Sequence, residues 1–168
     1  MLLFLRNRVN MTNNDLLRQL RYALHFNDQQ ALHYFAHSGV QLTQAELDSF
    51  YKREDDEGYK SLHDKMFSKF LDGLIIDKRG LRENPQPVKQ QTKSLTNNDI
   101  FKKLRIALKL KDEDIIETLM IAGFSISKSE LNALFRPKGH KHFKSCGDQI
   151  LRNFLKGLAK RTHILNQN

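Results

Sequence analysis

Apolar residues recur at spacings of three and four along the first part of the chain. Leu16, Leu17, Leu20, Ala23 and Leu24 form one stripe, and Ala31, Leu32, Phe35 and Ala36 form another. That period predicts two helices, each burying one face. Asn14 or Asp15 is placed to cap the first and Asp28 the second, and Gly39 stops the second where a residue without Cβ can take positive φ. Thr43 with Glu46 reads as a capping box that starts a third helix, and Asp64 opens a fourth with Met66, Phe67, Phe70, Leu71 and Leu74 on one stripe. No stretch shows the sustained alternation of a strand, so the expected fold class is all-α.

The pattern then repeats. A shift of 84 residues lays Thr12-Asn13-Asn14-Asp15 on Thr96-Asn97-Asn98-Asp99, and the register holds without a gap to Arg79 and His163. Of 68 aligned positions 19 are identical, where chance gives roughly four or five. Leu20/Leu104, Arg21/Arg105, Gly39/Gly123, Glu46/Glu130, Asp64/Asp148 and Gly73/Gly157 are among them, and Ser127 with Glu130 repeats the capping box. The chain is therefore read as a tandem duplication of a four-helix module. Residues 1–11 form a disordered extension, 12–80 the first helical repeat, 81–95 a linker and 96–163 the second repeat. The linker assignment rests on Pro85, Pro87 and the loss of apolar periodicity. Stacking through the first and fourth helices of each copy is the expected packing.

The repeated TNND start, the LRYAL and LRIAL segments, the stretch from Lys141-His142-Phe143 to Cys146-Gly147-Asp148 and the NFLKGL end together resemble the YehS-like family of uncharacterised bacterial proteins. The resemblance covers nearly everything from Met11 to Ala159. It implies a duplicated domain and supplies no catalytic residues.

Charge separates the two copies. Residues 1–80 carry 11 Lys/Arg and 11 Asp/Glu, whereas residues 81–168 carry 17 and 8, so the net charge of +9 lies entirely in the second half. A basic surface there suits a polyanion, and the leading expectation is a non-enzymatic binding protein whose second repeat contacts DNA or RNA. The alternative is a protein-interaction adaptor, or a homodimer, in which the near-neutral first copy pairs with the basic second one. One cysteine excludes an internal disulfide and fits a reducing, cytoplasmic compartment. The apolar run Leu2–Leu5 stops at Arg6, too short for a signal core or a membrane span.

Candidate chemistry is sparse. The second and third helices of each copy read as a helix-turn-helix-like hairpin with a turn about two residues longer than in repressor motifs. In the second copy the third helix is expected to present Lys128, Asn132 and Arg136, with Lys138, Lys141 and Lys144 following as phosphate contacts. Lys102, Lys103, Lys109 and Lys111 add to the same basic excess. The first copy offers Gln44, Asp48 and Lys52 and then the acidic run Glu54–Glu57, which would repel a polyanion. His140, His142 and Cys146 contain metal-capable atoms but lack a fourth ligand or a second copy of the pattern. Cys146 has basic neighbours and a helix start nearby, both able to lower a thiol pKa, without an evident base and oxyanion site. Phosphate-binding, dinucleotide and hydrolase signatures are absent, so no catalytic residue, metal or cofactor is expected.

Overall fold

The computed structural model describes residues 10–81 and 94–167. The predicted extension, apart from Asn10 and Met11, and the predicted linker, apart from Leu81, Ser94 and Leu95, lie outside the described residues. Among the described residues there are eight helices and no strand. They are α1 (Asn13–Leu24), α2 (Asp28–His37), α3 (Gln44–Tyr51), α4 (Asp64–Arg79), α5 (Asn97–Ala107), α6 (Asp112–Ile121), α7 (Lys128–Phe135) and α8 (Asp148–Asn166). α1–α4 and α5–α8 are the two copies.

The TNND start works as a unit of four side chains. Thr12, rather than Asn14 or Asp15, is the N-cap of α1: its hydroxyl accepts from the Asp15 N–H, and the Asp15 carboxylate accepts from the Thr12 N–H at 3.0 Å. Asn14 is left free for a tertiary task. Its Nδ2 donates to Phe50 O (2.9 Å) and Lys60 O (2.8 Å), and its Oδ1 accepts from the Leu62 N–H at 2.9 Å. Asn98 makes the equivalent bonds to Leu134 O, Lys144 O and the Cys146 N–H. One amide thus satisfies the loop between the third and fourth helices of each copy, and leaving those partners unpaired would cost about 1–3 kcal/mol per group. The cap of α2 is likewise Asn27, one residue before the predicted Asp28.

Asp28 has another partner. Arg21 pairs with it at 2.9 Å and lies 4.5 Å from the centroid of the Tyr51 ring, while Arg105 pairs with Asp112 at 2.8 Å and lies 4.7 Å from that of Phe135. The arginine shared by LRYAL and LRIAL therefore fastens three helices of its own copy. Gly39 and Gly123 follow their helices at φ 83° and 80°, as the turn requires. Gly73 and Gly157 serve close approach instead. A Cβ at Gly73 would stand 1.5 Å from Tyr34 O, and one at Gly157 1.8 Å from Thr118 O, so α4 and α8 lie directly on the backbones of α2 and α6.

The copies exchange their first and fourth helices: α1 packs on α8 and α5 packs on α4. The backbone amide preceding each repeat crosses too. Met11 N donates to Asp148 Oδ2 at 3.1 Å and Leu95 N to Asp64 Oδ2 at 2.9 Å, while Asn97 and Asn13 hold the other oxygen of each carboxylate. This reciprocity is that of an isologous dimer built within one chain. Met11, assigned to the extension by the sequence, is half-buried against the shared core. Phe35, Phe67, Phe70, Phe101 and Phe154 are fully buried there beside Leu16, Leu17 and Leu20.

Candidate functional site

The predicted reading helix ends before the third of its three residues. Lys128 and Asn132 belong to α7, whereas Arg136 is its C-cap, with φ −70° and ψ 152°, so the backbone turns away from the helix after it. The Arg136 guanidinium turns back towards His140, 3.4 Å from Nδ1. Lys128 is also engaged: its ammonium lies 3.3 Å from Glu113 and 4.0 Å from Asp112 at the start of α6. Asn132, Lys138, Lys141 and Lys144 are exposed. Arg136 and Lys138 join Lys102 around a cleft of about 780 Å³ beside the start of α5, whereas Arg136, His142 and Lys144 line a second cleft of about 440 Å³. Arg136 lines both clefts, Lys128 and Asn132 lie on α7, and Lys141 lines neither cleft.

Cys146 is not the activated thiol its neighbours suggested. It is buried in the core at the position of Leu62 in the first copy, and burial followed by the nearby Asp148 charge pushes its pKa up to about 12. His140 and His142 stay exposed in the loop.

A better-formed concentration of positive charge lies where the two copies meet. Between α1 and α8 runs a groove of about 590 Å³ lined by Arg18, Gln19, Tyr22, Leu155, Lys156, Ala159, Lys160 and His163. Leu155 and Ala159 supply apolar surface, and the Tyr22 ring is 73% exposed beside the cations. Arg18 is braced by Asp15 and donates to Lys52 O at 2.8 Å, so its position is fixed and its charge partly met. Lys156, Lys160 and His163 lie on α8 at steps of four and three, one helical face. A second groove of about 630 Å³ shares Arg18 and Tyr22 and continues past Arg21 and His25.

The pseudo-equivalent seam between α4 and α5 is bridged by side chains. There Lys103, in the place of Gln19, pairs with Asp72, in the place of Lys156, and Arg79 donates to Ile106 O at 3.3 Å. Tyr22 and Lys160 correspond to Ile106 and Ile76. Positions shared by both copies serve caps, turns, close approach, the core and the Arg21/Arg105 pairings. Seven of the eight groove residues, all but Leu155, stand at positions where the copies differ.

One further group was missed from the sequence. His33 and His37 lie one turn apart on α2 and meet Asp77 of α4, with one ligating atom from each within 4.8 Å of the others. The signal was the i, i+4 pair of histidines; the carboxylate came from another helix.

No helix among the described residues is long and apolar enough to cross a membrane. The family described as "Protein of unknown function (DUF1456)" matches residues 13–80 and 97–162. A relative, "Uncharacterized protein YehS" of Escherichia coli strain K12, is 40% identical over 154 residues, covering 92% of this chain and 98% of its own. No solved structure matches.

Proposed function

This chain belongs to the DUF1456 family, whose description names no chemistry, and from its geometry we propose a non-enzymatic protein that binds single-stranded nucleic acid in the α1–α8 groove. The observation that carries this reading is the exposed Tyr22 ring set beside Lys156, Lys160 and His163 in a groove whose pseudo-equivalent between α4 and α5 is bridged by an ion pair. Aromatic rings offer any base a stacking face, while flanking cations track the phosphates. The cationic side is supplied chiefly by the second copy, in line with its excess charge. α7 has a lesser part because Lys128 is paired and Arg136 has left the helix.

Fluorescence anisotropy of the full chain with a labelled single-stranded oligonucleotide, titrated at several salt concentrations, tests this. Affinity should fall steeply with salt, and Lys160→Ala should lower the slope of log K against log salt by about 0.7, one phosphate contact. Tyr22→Ala should weaken binding by about 5- to 100-fold with the slope nearly unchanged, since it removes stacking rather than charge. Absence of binding at low salt by the folded chain would remove the proposal. A protein partner would then be favoured by the end of α8, where Ile164 and Leu165 are 51% and 67% exposed.

A further inference from the structure

His33, His37 and Asp77 form a three-ligand set on the outer side of the α2–α4 contact, remote in the repeat plan from the α1–α8 groove. His33 and His37 stand one turn apart with ring centroids separated by 4.1 Å, and His37 Nε2 lies 3.8 Å from Asp77 Oδ1. Lys78 also reaches the Asp77 carboxylate, at 3.6 Å, and is the one competing cation recorded there among the described residues.

The second copy shows what this place in the fold does. The residues at the positions of His33, Tyr34 and Asp77 are Glu117, Thr118 and Arg161. Arg161 on α8 reaches across to α6, donating to Asp114 O and Thr118 Oγ1 at 3.1 Å each and lying 3.3 Å from Asp114 Oδ1 and 3.8 Å from Glu117 Oε2. A cation on α8 therefore ties that helix to the first and middle turns of α6. In the first copy the charge roles are inverted. Asp77 replaces the guanidinium and reaches His37 at 3.8 Å, and imidazoles replace the acidic and apolar residues opposite.

We infer that His33, His37 and Asp77 bind a divalent transition-metal ion of the zinc class, which ties α2 to α4 as Arg161 ties α6 to α8. Two imidazoles and a carboxylate suit zinc or its neighbours, whose bonds to nitrogen and oxygen are about 2.0–2.2 Å. Ligand atoms around such a tetrahedral ion lie about 3.3 Å apart, so atoms now within 4.8 Å of one another are already near the spacing a bound ion requires. Three protein ligands leave a fourth position to water. Hard ions such as magnesium, which prefer six oxygens, are excluded by the donor set.

The test uses the full chain, freed of metal by chelator, and zinc chloride alone. Calorimetry should give one strong site per chain, and zinc at a hundredfold excess over its Kd should raise Tm by about 5–10 °C, with magnesium giving no shift. His33→Ala with His37→Ala should abolish the shift, and Asp77→Asn should weaken binding at least tenfold. The control His140→Ala with His142→Ala should keep both effects. Retention of the full shift in the His33/His37 variant, or no zinc-dependent shift in the unaltered chain, overturns the proposal. Nucleic-acid affinity is not part of this readout, so the two proposals fail separately.

Discussion

Cys146 and Leu62 are equivalent residues, and both are placed by an asparagine whose amide oxygen takes their backbone N–H. The thiol thus occupies a leucine's place and acts as a small apolar group. Its pKa, raised from 9.0 to about 12, leaves a thiolate fraction at pH 8 about a thousandfold below that of an open thiol. Ellman's reagent should accordingly leave it untouched in the folded chain and react promptly once denaturant is added. The same shift has a signed effect on stability. Below about pH 9 the thiol is protonated in both states; between pH 9 and about 12 the unfolded chain releases a proton that the folded chain keeps, so stability falls as pH rises. Urea unfolding at pH 8 and pH 10.5 should show a smaller loss in Cys146→Ala than in the unaltered chain. Rapid labelling of the folded protein would contradict the burial argument.

At the scale of elements, apolar stripes and capping boxes marked the helices of the first copy, and the shift of 84 residues carried them to the second. The caps were harder because TNND contains four residues able to cap and the fold uses all four differently. The end of α7 was legible yet missed: Pro137 disfavours helical backbone at Arg136, and that residue is extended. The α1–α8 groove was beyond local reading, since Tyr22 and Lys156 meet only through the exchange of helices between copies. Once the exchange is known, the contrast of Gln19 and Lys156 with Lys103 and Asp72 explains why one seam is bridged by that pair. Transplanting the bridge tests that account. Gln19→Lys with Lys156→Asp should leave stability within about 1 kcal/mol, because a partly exposed ion pair contributes little. It should also lower oligonucleotide affinity at 50 mM salt by about tenfold. Unchanged affinity would place the binding surface elsewhere.

For the whole molecule, the exchange means that neither copy encloses its own core: α1 needs a fourth helix from the other copy, and α5 needs α4. An isolated repeat must therefore leave apolar faces in water or cover them with a second identical chain, and the pseudo-twofold arrangement shows how that chain would sit. The two repeats should differ in their ability to do so. In a dimer of residues 10–81, Gln19 would face Asp72 of the second chain at both seams and Met11 N would find Asp64, so no like charges meet. In a dimer of residues 94–168, Lys103 would face Lys156 twice, where the native chain sets Lys103 against Asp72 and Gln19 against Lys156. Two such like-charge contacts at a partly shielded seam cost on the order of 1–4 kcal/mol each at short range. Sedimentation at 10–100 µM should then show the first repeat as a folded dimer and the second as a less helical monomer whose association improves with salt, which screens the lysines. Lys156→Asp in the second fragment should restore dimerisation by recreating the Lys103–Asp72 pair at both seams. A first repeat that stays monomeric and folded, or a second repeat that dimerises as tightly at low salt, would show that the exchanged helices do not hold the copies together in this way.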